Sequence, residues 1–214
     1  MLFIEYYSYH LNRSVSDVRY QPLDRSFFQQ PALELAQNLL GQYIVHELPE
    51  QRLVARIVET EAYMGPEDRA AHSYNNRKTK RTKVMFAEAG YVYTYQMHTH
   101  TLINVVAGPK DIPHAVLIRG VEPVEGIEQM YKNRGPHIKG PHVTNGPGKL
   151  TKALGITMAY YGHHWTEKPL YLAEGNSVKE IESGPRVGIA NSGEAATYPW
   201  RFYEKDNPFV SKFR

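Results

Sequence analysis

Between Ile57 and His72 the chain sets glutamates, a tyrosine and a histidine within one short run, I-V-E-T-E-A-Y-M-G-P-E-D-R-A-A-H. Val54, Arg56, Val58, Thr60 and Ala62 alternate with Ala55, Ile57, Glu59, Glu61 and Tyr63, the period of a strand whose successive side chains point to opposite sides. Glu59, Glu61 and Tyr63 therefore share one face, and Gly65-Pro66 ends the run. A carboxylate held beside an aromatic ring on a rigid strand can activate water as a general base and steady a growing positive charge. It suits a pocket better than a core, because a buried unpaired carboxylate is costly. The same spacing also fits an exposed strand with solvated glutamates, and spacing alone does not separate the two.

Other groups with chemical potential are scattered along the chain. R-K-T-K-R-T-K at 77–83 concentrates cations, while acids gather around 122–128 and 174–182. Such a basic run is either a solvated loop or a phosphate contact. G-P-G-K-L at 146–150 puts a lysine at the start of a short helix, where both the helix end and the ammonium favour phosphate. Its spacing is not that of a nucleotide-binding P-loop, and no G-x-G-x-x-G occurs, so no cofactor is expected. His98 and His100 share one strand face and His163-His164 lie in a loop. Neither pair has a third ligand at suitable spacing, so no metal is expected. The sixteen tyrosines can stack on bases, but they serve cores and interfaces equally well.

The elements that must carry these groups read as follows. Residues 1–25 lack periodicity and form a loosely docked N-terminal arm, leaving 26–214 as one domain. A helix starts at Pro31, with Leu33, Ala36 and Leu40 on one face and Gly41 as its stop. Tyr43 to Val45 and Arg52 to Tyr63 pair as antiparallel strands around L-P-E-Q. The irregular segment 64–89 is long enough to be functional. Strands follow at 91–97, 101–106 and 114–119. Pro123 opens a helix with Val124, Ile127, Met130 and Tyr131 inward and Gly135 past its end. A short helix spans 148–154, and short strands lie near 169–173, 185–190 and 200–204. The expected fold is α+β, a single domain with a curved, mainly antiparallel β-sheet flanked by short helices.

A length of 214 residues allows one domain with a sizeable core. With no cysteine, disulfides, thiolate zinc sites and cysteine-held iron–sulfur clusters are excluded. A net charge of +3 is only mildly basic and does not by itself indicate nucleic acid. The start M-L-F-I-E-Y-Y-S-Y-H lacks a basic leader before an apolar core, and no run approaches a membrane span. The expectation is a soluble, cytoplasmic protein with no membrane partner.

The run V-E-T-E-A-Y followed by G-P-E-D-R-A-A-H-S resembles the signature of the alkyladenine (3-methyladenine) DNA glycosylase family. G-Y-V-Y at 90–93, Asn104, V-L-I-R-G-V-E-P at 116–123, G-P-G-K-L at 146–150, R-V-G-I at 186–189 and P-W-R-F-Y at 199–203 recur in the family's order. The resemblance covers about residues 28 to 212. It implies a monofunctional hydrolase of base excision repair, acting on double-stranded DNA as a monomer, nucleoid-associated in a prokaryote. Such an enzyme flips out alkylated or deaminated purines and cuts the N-glycosidic bond to leave an abasic site. The substrates implied are 3-methyladenine, 7-methylguanine, hypoxanthine and etheno-adenine.

The resemblance also assigns roles. Glu61 matches the catalytic glutamate, with Glu59 as internal competitor, and Arg119 matches an arginine holding the attacking water and the site's charge. Glu122 offers Arg119 an ordinary ion-pair partner. Tyr63, His72 and Tyr93 match the base pocket, the two tyrosines sandwiching the purine. An electron-rich ring attracts a cationic alkylated base. Asn104 matches a pocket-floor residue that crowds the 2-amino group of guanine. Lys149 becomes a DNA-backbone contact, joined by part of the 77–83 run, chiefly Arg77, Lys80 and Arg81.

Between Tyr93 and Asn104 the chain departs from the family pattern by one inserted residue. Met97 then stands where a wedge tyrosine is usual, with Tyr95, Gln96 and His98 as alternatives. A non-catalytic DNA or RNA binding module is the competing function, and a lysine Schiff-base route stays open beside water attack.

Overall fold

The computed structural model describes residues 19–212. Most of the expected arm, 1–25, lies outside them. Its described end is docked, with the Leu23 amide donating to Leu172 at 2.9 Å and Tyr20 buried.

Among the described residues, eight strands form one curled antiparallel sheet: β1 (Tyr43–Leu48), β2 (Gln51–Tyr63), β3 (Val92–Met97), β4 (His100–Ala107), β5 (His114–Glu125), β6 (Leu170–Ala173), β7 (Ile181–Gly184) and β8 (Arg201–Glu204). The main path runs β3-β4-β5-β2-β1-β6. Three helices complete the α+β domain: α1 (Ala32–Asn38), α2 (Ile127–Arg134) and α3 (Pro147–Leu154). Among the described residues, no helix is long and apolar enough to cross a membrane.

β2 is the spine. One edge pairs with β5 along most of its length. The other pairs with β1 up to Arg56 and with β8 from Glu59 to Glu61. The change of neighbour lets the sheet curl around its far end. The pairing with β5 is bulged on both sides of Glu59: Ile57 faces Val121, Glu59 faces Gly120, and Thr60 faces Ile118. Val58 is thus an extra residue on β2 and Arg119 an extra residue on β5, the kind of irregularity that re-aims side chains.

This corrects the strict alternation read from the sequence. Ala55 and Ile57 belong to the main apolar core, as does Ala62, so parity reverses across the bulge. Ala55 and Ile57 do not share the face of Glu59, Glu61 and Tyr63. That core lies between the sheet and the helices, and it includes Leu35, Ala36 and Leu39 of the α1 region and Leu150, Ala153 and Leu154 of α3. On the opposite face of β3–β5 a second cluster forms from Val84, Met85, Phe86, Tyr93, Tyr95, Leu102 and Leu117. Burial on both faces explains the near-continuous apolar runs of β4 and β5.

Three other expectations are corrected. The inward side of α1 is Ala32, Leu35 and Ala36, while Leu33 is only half-buried. Pro123 does not open a helix: β5 continues to Glu125, because Ala55 pairs with Pro123 and Val54 with Glu125. Bidentate Arg52–Glu125 contacts at 3.0 and 3.1 Å help hold that end. α2 begins at Ile127, after Gly126 in the left-handed region, leaving Val124 and Ile127 exposed and Met130 buried. The strand near 185–190 sits earlier, at β7, and 185–190 is loop. Pro185 follows the strand, and Arg186 is drawn inward by a buried acid described below.

Ile118 of β5 is fully buried in the main core. Truncating it to alanine leaves a cavity and should destabilise the protein by about 2–5 kcal/mol. The check is the midpoint of equilibrium denaturant unfolding at unchanged slope; a midpoint within error of the parent would contradict the packing.

Candidate active site

The paired bulges set two carboxylates, Glu59 and Glu61, and one guanidinium, Arg119, on the same side of the sheet. All three are buried. Arg119 donates from Nε to Glu59 at 3.2 Å, while its Nη1 lies 3.2 Å from Glu61 Oε1. Arg201 of β8 brings a second cation to Glu59, Nε to Oε1, at 2.7 Å. Two acids and two arginines therefore balance. The alternative partner for Arg119, Glu122, instead binds Arg56 at 2.6 Å.

Glu61 has different company from Glu59. Its Oε1 accepts the Val187 N–H at 2.7 Å and its Oε2 accepts the Tyr63 hydroxyl at 2.8 Å. Burial raises its pKa above the ordinary carboxylate value, and Glu59 adds to the rise; Arg119, the Val187 amide and Tyr63 oppose it without cancelling it. A raised pKa makes a carboxylate a stronger base. Arg119 would lose its charge more readily from burial alone, but Glu61 and Glu59 outweigh that and hold it protonated. Burial, with Glu61 second, raises the Tyr63 phenol well above its usual range, so Tyr63 remains a donor.

Tyr63 links this charged group to a cavity of about 240 Å³. Tyr63 of β2, His72, Tyr93, Tyr95 and Met97 of β3, and Asn104 of β4 line it, together with Gly188, Ile189, Asn191 and Ser192. Its size and aromatic lining suit one planar heterocycle. Two other clefts, of about 360 and 410 Å³, hold no buried carboxylate. The expected pocket residues Tyr63, His72, Tyr93 and Asn104 thus come together, and Met97 joins them at the rim.

His72 Nδ1 is 2.7 Å from the Tyr93 hydroxyl, and its ring meets Tyr95 edge-on with centroids 4.6 Å apart. Burial, with Arg81 and Arg77 nearby, lowers its pKa to about 4, so the ring is neutral at physiological pH. Asn104 is buried and donates from Nδ2 to the Tyr93 carbonyl at 2.8 Å. Met97 is 45% exposed at the end of the β3–β4 hairpin, which excludes a core role. His98, in the left-handed region at φ 52, belongs to the hairpin turn, so it does not share a strand face with His100.

The cations lie outside the cavity. Arg77, Lys78, Lys80, Arg81 and Lys83 are exposed on the loop after His72. The Tyr161 hydroxyl holds that loop, lying 3.1 Å from the Arg81 carbonyl and accepting the Val84 N–H at 3.2 Å. Lys149 stands in the first turn of α3, half-buried, donating to Asn145 Oδ1 at 2.7 Å. That turn packs on the same hairpin, since a Cβ on Gly148 would come within 2.7 Å of His100.

Several contributors escaped the sequence reading. Tyr95 enters the sequence reading only as a wedge alternative. Val187 acts through its backbone, which leaves no side-chain signature. Arg186 stacks between Tyr63 and Trp200, 4.7 and 4.9 Å from their ring centres, and pairs with buried Asp68 at 2.8 Å. Asp68, Arg186 and Arg201 were each visible as charges inside the quoted motifs. Ser211, which binds Glu59, carried no signal at all.

The sequence model described as "Methylpurine-DNA glycosylase (MPG)" matches residues 26–208. The chain belongs to the methylpurine-DNA glycosylase family. Proteins named "Putative 3-methyladenine DNA glycosylase" are similar throughout. That of Bacillus subtilis (strain 168) is 58% identical over 191 residues, 89% of this chain and 97% of its own. That of Oceanobacillus iheyensis is 50% identical over 193 residues, 90% of this chain and 97% of its own. That of Clostridium novyi (strain NT) is 44% identical over 198 residues, 89% of this chain and 98% of its own. As a methylpurine-DNA glycosylase the protein is a DNA-repair hydrolase of N-glycosyl bonds, acting on alkylated bases in DNA.

The neutral His72 ring gives a pH signature for this glycosylase. Its folded pKa is below its unfolded one, so its contribution to stability is complete above 6.5 and is lost as pH falls toward about 4. Nitrogen-detected NMR should find the His72 ring still neutral midway through that window. A half-protonated ring there would contradict the burial described.

Proposed function

We propose that this glycosylase extrudes a damaged purine from duplex DNA into the aromatic cavity and hydrolyses its N-glycosidic bond with Glu61 as general base. The observation that carries this reading is the buried Glu61 carboxylate, joined to the cavity wall through Tyr63 and matched by Arg119. Water attacks the anomeric carbon of the sugar and gives its proton to Glu61. The bond's electron pair leaves with the base, which departs neutral where alkylation had made it cationic and takes a proton from solvent where it had not. The carboxylate also steadies the positive charge that grows on the sugar ring. Glu59 is less suited, since its partners Arg119, Arg201 and Ser211 do not line the cavity, whereas Glu61 meets the cavity wall through Tyr63. Among the described residues no lysine lines the cavity, which favours water over an enzyme amine as nucleophile.

Tyr63 and Tyr93 sandwich the base, His72 contacts the flipped nucleotide, and Asn104 crowds the 2-amino group of normal guanine. The substrates are 3-methyladenine, 7-methylguanine, hypoxanthine and etheno-adenine, and the product is an abasic site for base excision repair. Lys149 and part of the 77–83 loop, chiefly Arg77, Lys80 and Arg81, grip phosphates of the duplex. The enzyme acts as a monomer.

Glu61→Gln should slow single-turnover excision by at least ~10²-fold while damaged-DNA binding persists. A near-normal rate, with Glu59→Gln inactive instead, would reverse the assignment of the two acids.

Met97 fills the gap left by the flipped nucleotide, offsetting part of an unstacking cost of a few kcal/mol. A fluorescent adenine analogue beside the lesion brightens on unstacking. Met97→Ala should weaken that signal and leave thermal stability almost unchanged, and Met97→Tyr should restore it in part. Normal flipping in the alanine variant would move the wedge to another residue of the hairpin.

A further inference from the structure

Glu59 has no direct part in the reaction proposed above, yet it is fully buried and heavily bonded. Its Oε1 accepts Ser211 Oγ at 2.7 Å, Arg201 Nε at 2.7 Å and Arg119 Nε at 3.2 Å. Its Oε2 accepts the Ser211 N–H at 2.8 Å. Ser211 does more than bind Glu59. Its Oγ also accepts Arg119 Nη2 at 3.3 Å, and its carbonyl accepts Arg201 Nη2 at 2.8 Å. One serine beyond the last strand thus touches Glu59 and both arginines that bind it.

The chain is shaped to bring it there. The Phe209 amide donates to Asn207 Oδ1 at 2.9 Å and the Val210 amide to the Asn207 carbonyl at 3.1 Å, turning the segment back onto the sheet. Gly120, opposite Glu59 at the bulge, leaves the room. A Cβ there would come within 2.8 Å of the Phe209 carbonyl oxygen and 3.0 Å of Glu59 Oε2.

We infer that Ser211 is a positioning residue for the glycosylase reaction, locking the Arg119 guanidinium so that its remaining nitrogen faces Glu61. Arg119 is a planar fork with donors in fixed directions. Nε goes to Glu59 and Nη2 to Ser211 Oγ, so Nη1 has one direction left, toward Glu61. The serine hydroxyl is suited to this because it donates to Glu59 and accepts from Arg119 at once. Threonine can do the same; alanine can do neither. The inference rests on Glu61 being the general base.

Removing the hydroxyl should free Arg119 to turn toward Glu59 and leave Glu61 with less compensation. The groups facing Glu61 are Arg119 from β5, Glu59 and Tyr63 from β2, Tyr95 from β3 and the Val187 amide. Of these, Arg119 is the cation, so a looser Arg119 raises the pKa of Glu61. The acid limb of the rate profile then moves to higher pH.

The test compares Ser211→Ala and Ser211→Thr in the full chain, using an oligonucleotide duplex with a single hypoxanthine. Ser211→Ala should lower the single-turnover rate about tenfold or more, the scale of a hydrogen bond to a charged group. Duplex affinity should be unchanged and the acid limb should shift upward. Ser211→Thr should restore both rate and profile. A wild-type rate and profile in Ser211→Ala overturns the inference. So does a rate loss that follows the fall in melting temperature, shows no change in pH profile and is not rescued by threonine. Glu61→Gln run in parallel separates the two readings: if it stays active the general-base assignment fails, whereas if it is inactive and Ser211→Ala is normal, only the role of Ser211 fails.

Discussion

The site depends on one guanidinium held between two buried carboxylates. Glu59 and Glu61 project from the same face of one strand, and burying a carboxylate without a compensating partner is costly. Arg119 reaches both, and Arg201 supplies the second positive charge. A buried ionic group of this kind is weak evidence for stability, since taking each charge out of water costs several kcal/mol. Its value here is directional. Every arginine donor that Glu59 and Ser211 occupy narrows the orientations left for the contact with Glu61.

The two carboxylates have the same residue type and both are buried, but their surroundings differ. Glu59 is bound by two arginines and a serine, which suits an anchor. Glu61 has one arginine, one amide and a phenol that itself lines the cavity, and its affinity for a proton is raised. On the proposed reading, environment separates the roles of the two acids, as in other enzymes that place paired carboxylates in one site. The aromatic wall lies a single hydrogen bond from that chemistry, through the Tyr63 hydroxyl. Arg186 and Asp68 support the wall from behind, and the residue after Arg186 supplies the amide that Glu61 accepts.

Much of this was legible in the amino-acid sequence, for physical reasons that vary by residue. Alternation placed Glu59, Glu61 and Tyr63 on one face, and the β1–β2 hairpin was readable from two apolar runs around a polar turn. Ordered motifs named residues that the fold brings to one cavity, Tyr63, Tyr93 and Asn104 from three strands and His72 from a loop. The bulges were not readable, because an extra residue in a ladder is defined by its partner strand and leaves no local mark. The end of β5 was misread since a proline after an apolar run resembles a helix start when its pairing is unseen. Val187 was invisible because its amide is common to nearly every residue type, and Ser211 because a lone serine near a terminus has no pattern around it.

The compensated bulges also set which changes of length this enzyme tolerates. From Ala55 to Ile57 and again from Thr60, partners on β2 and β5 keep the same register, since one extra residue on each strand cancels the other. Deleting Val58 alone would leave the Arg119 bulge uncancelled and shift everything beyond it. A strand shifted by one residue exchanges its faces, so Glu61 and Tyr63 would turn toward the apolar core and Ala62 toward the cavity. Loss of a residue from each strand together would preserve the ladder while erasing the bend that aims Arg119. Natural variation in length should therefore collect in the loops around the sheet, and this pair of strands should vary by substitution alone.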